Sequence, residues 1–174
     1  MGRVSQAQAR ENRDRIVATA ARLFRERGIA GVSVADVSAA AGLTHGGFYK
    51  QFESKEALVT EAIAYAFAEQ SERAGNSPAF LDEYLSAEHR DQPGLGCPTA
   101  GFAGDVARAA GGDEARQAYA DGVAAYARML GTADEPDLAA VSMMVGALIL
   151  SRATAGTEIS ERLLAAARAA LAER

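Results

Sequence analysis

The 174-residue sequence predicts an all-α fold of about nine helices, with a small domain at residues 1–55 and a larger one at residues 56–174. Long alanine-rich runs repeat their apolar residues at helical spacing and leave few stretches suited to strands. Ser, Thr and Asp residues at helix starts, and glycines at helix ends, divide these runs into separate elements. Because 49% of the residues are hydrophobic, the chain can bury a sizeable core.

Two helices are predicted in the first 41 residues. The first covers residues 7–27, where apolar residues recur at helical spacing, and Gly28 is suited to end it. The second covers residues 34–41 and follows Ser33, whose hydroxyl can accept a hydrogen bond from an amide that has no partner within the helix. These two helices therefore lead directly into the segment that follows.

The segment from Gly42 to Phe52 predicts the second half of a helix-turn-helix. Gly42 can end one helix with a positive φ and Thr44 can cap the next, so the turn between them is tight. Phe48 and Phe52 lie four residues apart and therefore share the inward face. The outward face carries small, aromatic and cationic groups: His45, Gly46, Gly47, Tyr49 and Lys50. A short helix of this composition after a tight turn is typical of a DNA-recognition helix.

The net charge of −5 is divided unevenly along the chain. Residues 1–55 hold nine Lys or Arg and five Asp or Glu, whereas the remaining residues hold nine against eighteen. A basic N-terminal third on an acidic body indicates a module that faces a polyanion, carried by a module that avoids one. Chance clustering of charges on solvated helices is the alternative. Arg10, Arg13 and Arg15 lie early in the first helix, where they can either reach phosphates or stay solvated.

The run from Gly28 to Leu58 resembles the DNA-binding domain of the TetR family of transcriptional repressors, and the similarity covers about residues 10–60. It rests on the spacing of the caps, glycines and aromatic residues as well as on composition. The resemblance implies an all-α homodimer that binds a palindromic operator in double-stranded DNA. Three N-terminal helices would bind DNA, and a helical domain would bind a small-molecule effector and dimerise. Such a cytoplasmic repressor is not an enzyme and needs no cofactor or metal.

The resemblance also implies roles for individual residues. Phosphate contacts would come from Ser33, Val34, Tyr49 and Lys55, and groove contacts from Thr44, His45, Gly46 and Lys50. Two positions depart from the family, since Gly47 stands where a Ser or Thr is common and Gln51 where a histidine is usual. Gly47 stays a candidate contact, because a residue without a side chain lets the backbone approach DNA closely. Packing on the first helix is the alternative role for Tyr49.

The larger domain is predicted to open with a helix at residues 55–73, capped by Ser54. The next helix has Ser77 as its N-cap and Pro78 in its first turn. Residues 87–96 are expected to form a polar loop, and Asp113 is expected to cap a helix that runs to residue 130. Further helices are predicted at residues 98–110, 138–155 and 159–172.

Several aromatic and sulfur-containing side chains of the larger domain are candidates for lining an apolar pocket with a few polar groups, a composition common in ligand sites. The candidates are Tyr84, Cys97, Phe102, Tyr119, Tyr126 and Met129. An aromatic stripe at helical spacing also suits an ordinary core, and both interpretations stay open at this point.

The stretch at residues 138–150 is apolar on nearly every face, yet it is too short for a membrane span of about 20 residues. A helix that is apolar all round must be buried on all sides. Together with the helix at 159–172, it would form a four-helix bundle with a second copy of the chain. The expected interface residues are Leu138, Val141, Val145, Leu148, Leu163, Leu164 and Leu171. An adaptor that binds another protein through residues 138–150 is the alternative.

Cys97 is the only cysteine, which excludes an intramolecular disulfide and fits a reducing cytoplasm. It precedes Pro98 at a predicted helix start, where the helix dipole favours a thiolate, but no Lys or Arg lies among the six residues before it. Three roles are open: a packed apolar group, a sensor of oxidants or electrophiles, and the nucleophile of an enzyme with His45 or His89 as base. No orienting partner for His89 is evident from the sequence. Residues 1–6 lack the apolar core of a signal peptide.

Overall fold

The structure is a computed structural model that describes residues 6–75, 79–132 and 134–173, except for the side chain of His45. These residues form ten α-helices and no strand, which confirms the all-α prediction. The helices are α1 (Gln6–Arg27), α2 (Val34–Ala40), α3 (His45–Phe48), α4 (Lys55–Gly75), α5 (Phe80–Tyr84), α6 (Ala87–Asp91), α7 (Pro98–Ala107), α8 (Gly112–Leu130), α9 (Leu138–Ala153) and α10 (Glu158–Ala172).

The first three helices form where the sequence predicts them. Gly28 and Gly42 have φ angles of 76° and 68°, and they end α1 and the α2 segment in the conformation that glycine adopts without strain. Ser33 caps α2, Thr44 caps α3, and the hydroxyl of Ser54 accepts a hydrogen bond from the amide of Ala57 at the start of α4. Capping chemistry therefore fixes where each of these helices begins.

Helix α4 lies between the two parts of the molecule. It packs against α1 on one side and against α8 on the other, and α7 contacts both α1 and α4. One apolar core joins α1–α4 with Phe102 and Val106 of α7. A second core joins α5, α8, α9 and α10 and includes Cys97 and Leu148. The N-terminal helices are thus packed directly on the body through α4 and α7.

The region at 87–96 is not the predicted polar loop. It contains α6 and a 3₁₀ turn at Pro93–Leu95. Ser86 starts α6, because its hydroxyl accepts a hydrogen bond from the amide of His89 at 3.1 Å. The polar residues that suggested a loop lie on the outer surface of this short helix. None of its residues is buried, and only His89 and Arg90 are partly covered.

The sequence predicts Asp113 and Ser77 as caps of two helices in the larger domain. Asp113 does not cap α8, since the N-cap residue is Gly111 with a φ of 85° and Asp113 lies in the first turn. Ser77 and Pro78 lie outside the described residues, and α5 is a helix of five residues from Phe80. In the part of the chain that the structure describes, no helix is both long and apolar enough to cross a membrane.

Candidate nucleic-acid interface and ligand cavity

Helix α3 is held by its inward side. Phe48 and Phe52 are buried and stacked at 5.5 Å between ring centroids, and Tyr49 packs edge-on against Phe48 at 5.1 Å. Thr44 caps the helix by accepting a hydrogen bond from the amide of Gly47 at 3.2 Å. A helix of only one turn is unstable alone, so these tertiary contacts hold its position.

Arg13 of α1 fixes the C-terminal end of this turn. Its guanidinium lies 4.1 Å from the ring centroid of Phe52, donates to the carbonyl of Gln51, and pairs with Glu61 of α4. The sequence offered phosphate contact or solvation for this residue, whereas the structure shows it joining α1, the segment that follows α3, and α4. Because Glu61 and Gln51 lie far from Arg13 in sequence, local patterns carried no signal of this role.

The outward face of α3 exposes Thr44, Gly46, Tyr49 and Lys50. A Cβ added at Gly46 would meet no atom within 4 Å, so nothing inside the molecule requires glycine there. Tyr49 is 56% exposed although it packs on Phe48, which combines the two roles considered for it. The face thus presents a small, flat surface with one cation, suited to close approach by a partner.

At the start of α2, Ser33 and Asp36 form a reciprocal capping box. The hydroxyl of Ser33 accepts from the amide of Asp36 at 3.1 Å, and Asp36 accepts from the amide of Ser33 at 2.8 Å. Hydrogen bonds from Ser33 lower the pKa of Asp36. A carboxylate already occupies the N-terminus of α2, so a phosphate contact by Ser33 competes with this box. Val34, the neighbouring candidate, is half-buried against the N-terminal core.

Lys55 is engaged inside the molecule. Its ammonium donates to the carbonyl of Ile29 at 2.6 Å and lies 5.9 Å from the ring centroid of Phe24. The amide of the same Ile29 donates to Asp105 of α7 at 3.0 Å. Lys55 therefore holds the turn between α1 and α2 in the absence of DNA, a role that the sequence did not suggest.

The body contains a cavity of about 730 Å³ between α4, α5, α6 and the start of α7. Tyr84 and Cys97, two of the six residues predicted for a pocket, line it. Tyr126 and Met129 line a smaller cavity of about 260 Å³, and Gln70 belongs to both. Phe102 is fully buried core and Tyr119 packs on Phe67 while its hydroxyl donates to the Thr99 carbonyl, so the prediction was wrong for these two.

Charged residues from distant parts of the sequence line the larger cavity, and sequence reasoning missed them. Arg25 of α1 donates to the carbonyls of Ala21 and Gly96 and pairs with Glu69 at 3.1 Å. Its side chain is 2% exposed, and burial lowers the pKa of the guanidinium. Arg73 pairs with the other oxygen of Glu69 at 2.9 Å. Helix α1 of the N-terminal domain therefore contributes a side chain to the wall of the cavity.

His89 is oriented at both ring nitrogens. Nδ1 donates to the carbonyl of Tyr84 at 2.6 Å, because a carbonyl can only accept, and Nε2 accepts from the amide of Cys97 at 2.9 Å. This arrangement requires the neutral ring, and burial lowers the pKa of His89 accordingly. A general base would use the lone pair of Nε2, but this lone pair accepts the hydrogen bond from the Cys97 amide. His89 has partners after all, and they leave it unable to deprotonate the Cys97 thiol.

Cys97 is the N-cap residue of α7, and its side chain makes no capping hydrogen bond. Arg25 and Arg152 both interact electrostatically with it, although neither is near it in sequence. Arg152 donates to the carbonyls of His89 and Arg90, and a Cβ added at Gly96 would lie 2.6 Å from its Nη2. Two guanidinium groups therefore lie near this buried thiol, although neither follows from the sequence around it.

The seven residues predicted for a subunit interface divide into two groups. Val141, Leu148 and Leu164 are buried in the core of their own chain, so they cannot also form a seam. Leu138 is 60% exposed, and Val145, Leu163 and Leu171 are partly exposed. Three further large apolar residues of α9 and α10, which were not predicted, are exposed: Ile149, Leu150 and Ile159.

Comparison with known proteins points to one family. The family model described as "Bacterial regulatory proteins, tetR family" matches residues 16–62, which include α2 and α3. The chain is 38% identical over 55 residues to the uncharacterized HTH-type transcriptional regulator YerO of Bacillus subtilis, and the alignment covers 32% of this chain and 19% of YerO. It is 33% identical over 98 residues to the HTH-type transcriptional repressor DhaR of Mycobacterium sp. (strain GP1), covering 52% and 50%. The chain thus spans half or less of the length of these relatives.

A solved TetR transcriptional regulator from Chloroflexus aurantiacus shares the fold over almost its whole length, with a TM-score of 0.74, 25% identity, and coverage of 97% of this chain and 96% of that one. The residues that match the family model include the helix-turn-helix formed by α2 and α3. The family consists of regulators rather than enzymes. Residues 16–62 thus match the TetR family of bacterial regulatory proteins, and the fold of the chain is that of a TetR transcriptional regulator.

Proposed function

We propose that the chain is a cytoplasmic, homodimeric repressor that binds a palindromic operator through α3 and is released by a small-molecule or thiol-reactive effector. The observation that carries the proposal is the exposed face of α3, where Lys50, Tyr49 and Gly46 stand on a turn fixed by Arg13 and by buried Phe48. A helix that is fixed by contacts on its inward face, and whose outward face carries small residues and a cation, fits the major groove of DNA.

Within this proposal, the DNA contacts divide by chemistry. Lys50, Thr44 and His45 supply base contacts, while Gly46 and Gly47 let the backbone approach. Tyr49, Ser33, Val34 and Lys55 supply phosphate contacts at the two ends of the motif. Lys55 would exchange its bond with the Ile29 carbonyl for a phosphate, which couples DNA binding to the α1–α2 turn.

Dimerisation would use the outward faces of α9 and α10. Leu138, Ser142, Val145 and Ile149 follow each other at spacings of four, three and four residues, so they form one stripe on α9. All four are exposed or partly exposed in the single chain. Burial of such a stripe against a second copy removes apolar surface from water and sets two α3 helices at a fixed separation.

The cavity of about 730 Å³ is the proposed effector site, and its size is within the range of ligand pockets. Cys97 lies in its wall, so a thiol-reactive compound that enters the cavity meets the thiol directly. To test the thiol route, DNA release by N-ethylmaleimide would be compared between the wild type and Cys97→Ser. Release of the wild type alone supports a thiol sensor, whereas equal release from both proteins leaves Cys97 as part of the wall only.

The proposal as a whole is tested by selecting binding sites from a random duplex library with the full chain. The expected product is an inverted repeat that protects both half-sites from cleavage and binds two subunits. Recovery of no enriched sequence at about 50 mM salt, where phosphate contacts are strong, contradicts the proposal.

A further inference from the structure

The inner end of the larger cavity has more guanidinium groups than carboxylates. Arg25 and Arg73 both line the cavity, and they share the single carboxylate of Glu69. Arg152 lies behind Gly96, and the bonds described for it go only to backbone carbonyls. Arg73 is 51% exposed and therefore lies toward the mouth, so at the buried end the guanidinium groups of Arg25 and Arg152 face the carboxylate of Glu69.

Two polar groups at this end have unused hydrogen-bonding capacity within the described part of the chain. The guanidinium of Arg25 has five N–H groups, and three of them donate to Ala21, Gly96 and Glu69. The hydroxyl of Tyr84, a residue only 3% exposed, makes no hydrogen bond of ordinary geometry to the described residues and lies beside Cys97 and Tyr126. Burial and the neighbouring Cys97 and Tyr126 raise the pKa of Tyr84, so this hydroxyl stays protonated and can donate.

The other acidic residues of the cavity lining lie elsewhere. Asp82, Glu83 and Glu88 line it but are exposed, which places them at its mouth. Asp82 is also 3.4 Å from Arg168. Water and salt screen charges at the mouth, whereas Arg25 acts in a dehydrated environment where electrostatic attraction is stronger. The inner cations therefore dominate the choice of ligand.

We infer that this cavity binds an organic anion: a small molecule with a carboxylate and an apolar body. The carboxylate meets the free N–H groups of Arg25 and the hydroxyl of Tyr84, with Arg73 nearby. The apolar body lies against Phe80 and Leu95, which also line the cavity. This inference rests on the proposed function, in which the same cavity is the effector site, and it names the chemical class of the effector.

The position of Arg25 explains how such a ligand would act on DNA binding. Arg25 belongs to α1, and its bond to the Gly96 carbonyl at 2.8 Å ties α1 to the segment before α7. A carboxylate that draws the guanidinium toward the cavity competes with this bond. The ligand would therefore act on a helix of the DNA-binding domain directly, without a relay through the body.

The ligand class is tested with three probes of matched shape: 3-phenylpropanoate, 3-phenylpropan-1-ol and 3-phenylpropylamine. Calorimetric titration of the full chain without DNA measures each affinity. We expect the acid to bind about tenfold or more tightly than the alcohol, as for a charge-assisted contact in a buried site, and the amine to bind most weakly. Binding of the amine as tight as that of the acid, or no binding of the acid, overturns the inference.

Variants separate a specific anion site from general effects on folding. Glu69→Gln removes the competing carboxylate and should tighten the acid about threefold or more, a gain that misfolding cannot produce. Arg73→Gln should weaken the acid by a similar factor. Arg116→Gln, an exposed arginine of α8 outside the cavity lining, is the control and should change nothing. Unchanged or weaker binding of the acid by Glu69→Gln contradicts the inference.

Failure of this inference and failure of the proposed function are distinguishable, because the titrations contain no DNA. If the chain binds the acid but enriches no DNA sequence, the anion site is supported and the repressor function is contradicted. If the chain binds an operator but not the acid, the repressor function is supported and the anion site is contradicted. When both bind, addition of 3-phenylpropanoate should lower the operator affinity of the wild type. An unaltered operator affinity would contradict the proposed action of the ligand on α1 through Arg25.

Discussion

Asp105 of α7 accepts a hydrogen bond from the backbone amide of Ile29 at 3.0 Å, and this bond ties the body to the turn between α1 and α2. The amide is buried, and the side chain of Asp105 is also close to Gly28, whose Cβ would lie 3.4 Å from its Oδ2. The other end of α7 begins at Cys97 in the cavity wall. A helix of ten residues therefore connects the larger cavity to the N-terminal domain.

Replacement of Asp105 tests this connection. Asp105→Ala leaves the buried Ile29 amide without a partner and should lower the free energy of unfolding by about 1–3 kcal/mol. Asp105→Asn keeps an oxygen acceptor and should cost less. Urea unfolding of both variants measures the difference, and equal losses would show that the amide bond contributes little.

Replacement of Gly46 by alanine should raise the stability of the protein and lower its affinity for DNA. No atom lies within 4 Å of a Cβ at this position, so Gly46→Ala should stabilise the free protein by up to about 1 kcal/mol. The added methyl group lies on the face proposed to approach DNA, so operator affinity should fall. Thermal unfolding and anisotropy with labelled operator measure the two effects. Gly104→Ala in α7 is the control, since it should leave operator affinity unchanged; a Gly46→Ala protein with undiminished affinity contradicts close approach.

The proposed subunit seam predicts different outcomes for two neighbouring residues. Val145→Asp places a charge in the exposed stripe and should cost several kcal/mol of dimerisation free energy while the monomer stays folded. Leu148→Ala acts on a fully buried core residue and should lower the free energy of unfolding by about 2–5 kcal/mol. Sedimentation and circular dichroism distinguish the two. A folded, dimeric Val145→Asp protein places the interface elsewhere.

His89 predicts how stability depends on pH. Burial lowers its pKa below the ordinary value of 6.5, so between these two values the unfolded chain binds more protons than the folded one. The free energy of unfolding should therefore decrease as the pH falls below about 6.5. His89→Gln should remove this decrease between pH 7 and 5, whereas His45→Gln should retain it. An equal decrease in both variants would assign the effect to other groups.

The helices and their caps were predictable because their signals are local. Ser33, Thr44, Gly28 and Gly42 act on amides or φ angles within four residues of themselves, and each stands where the sequence predicts. Helix α3 was predictable for the same reason, since Phe48 and Phe52 define its inward face by spacing alone.

The cavity was only partly predictable because its polar groups come together through tertiary packing. Arg25 and Gly96 are 71 residues apart, and Arg152 and His89 are 63 apart, so no spacing rule connects them. The missed arginines line or flank the cavity, whereas aromatic Phe102 and Tyr119, which looked suited to a pocket, fill the core. Similarly, helical periodicity showed that α9 is apolar all round but not which side faces its own chain.

The central claim is that α3 contacts DNA as the recognition helix, and the salt dependence of operator binding tests it most directly. Lys50→Ala should change which sequences bind while leaving the unfolding free energy intact, because Lys50 is exposed. Lys55→Ala should weaken binding to all sequences, reduce the salt slope by about one ion per subunit, and lower stability through loss of the Ile29 bond. The account predicts these two distinct patterns in anisotropy titrations from about 50 to 200 mM salt. Identical slopes and sequence preferences for the wild type and both variants would contradict it.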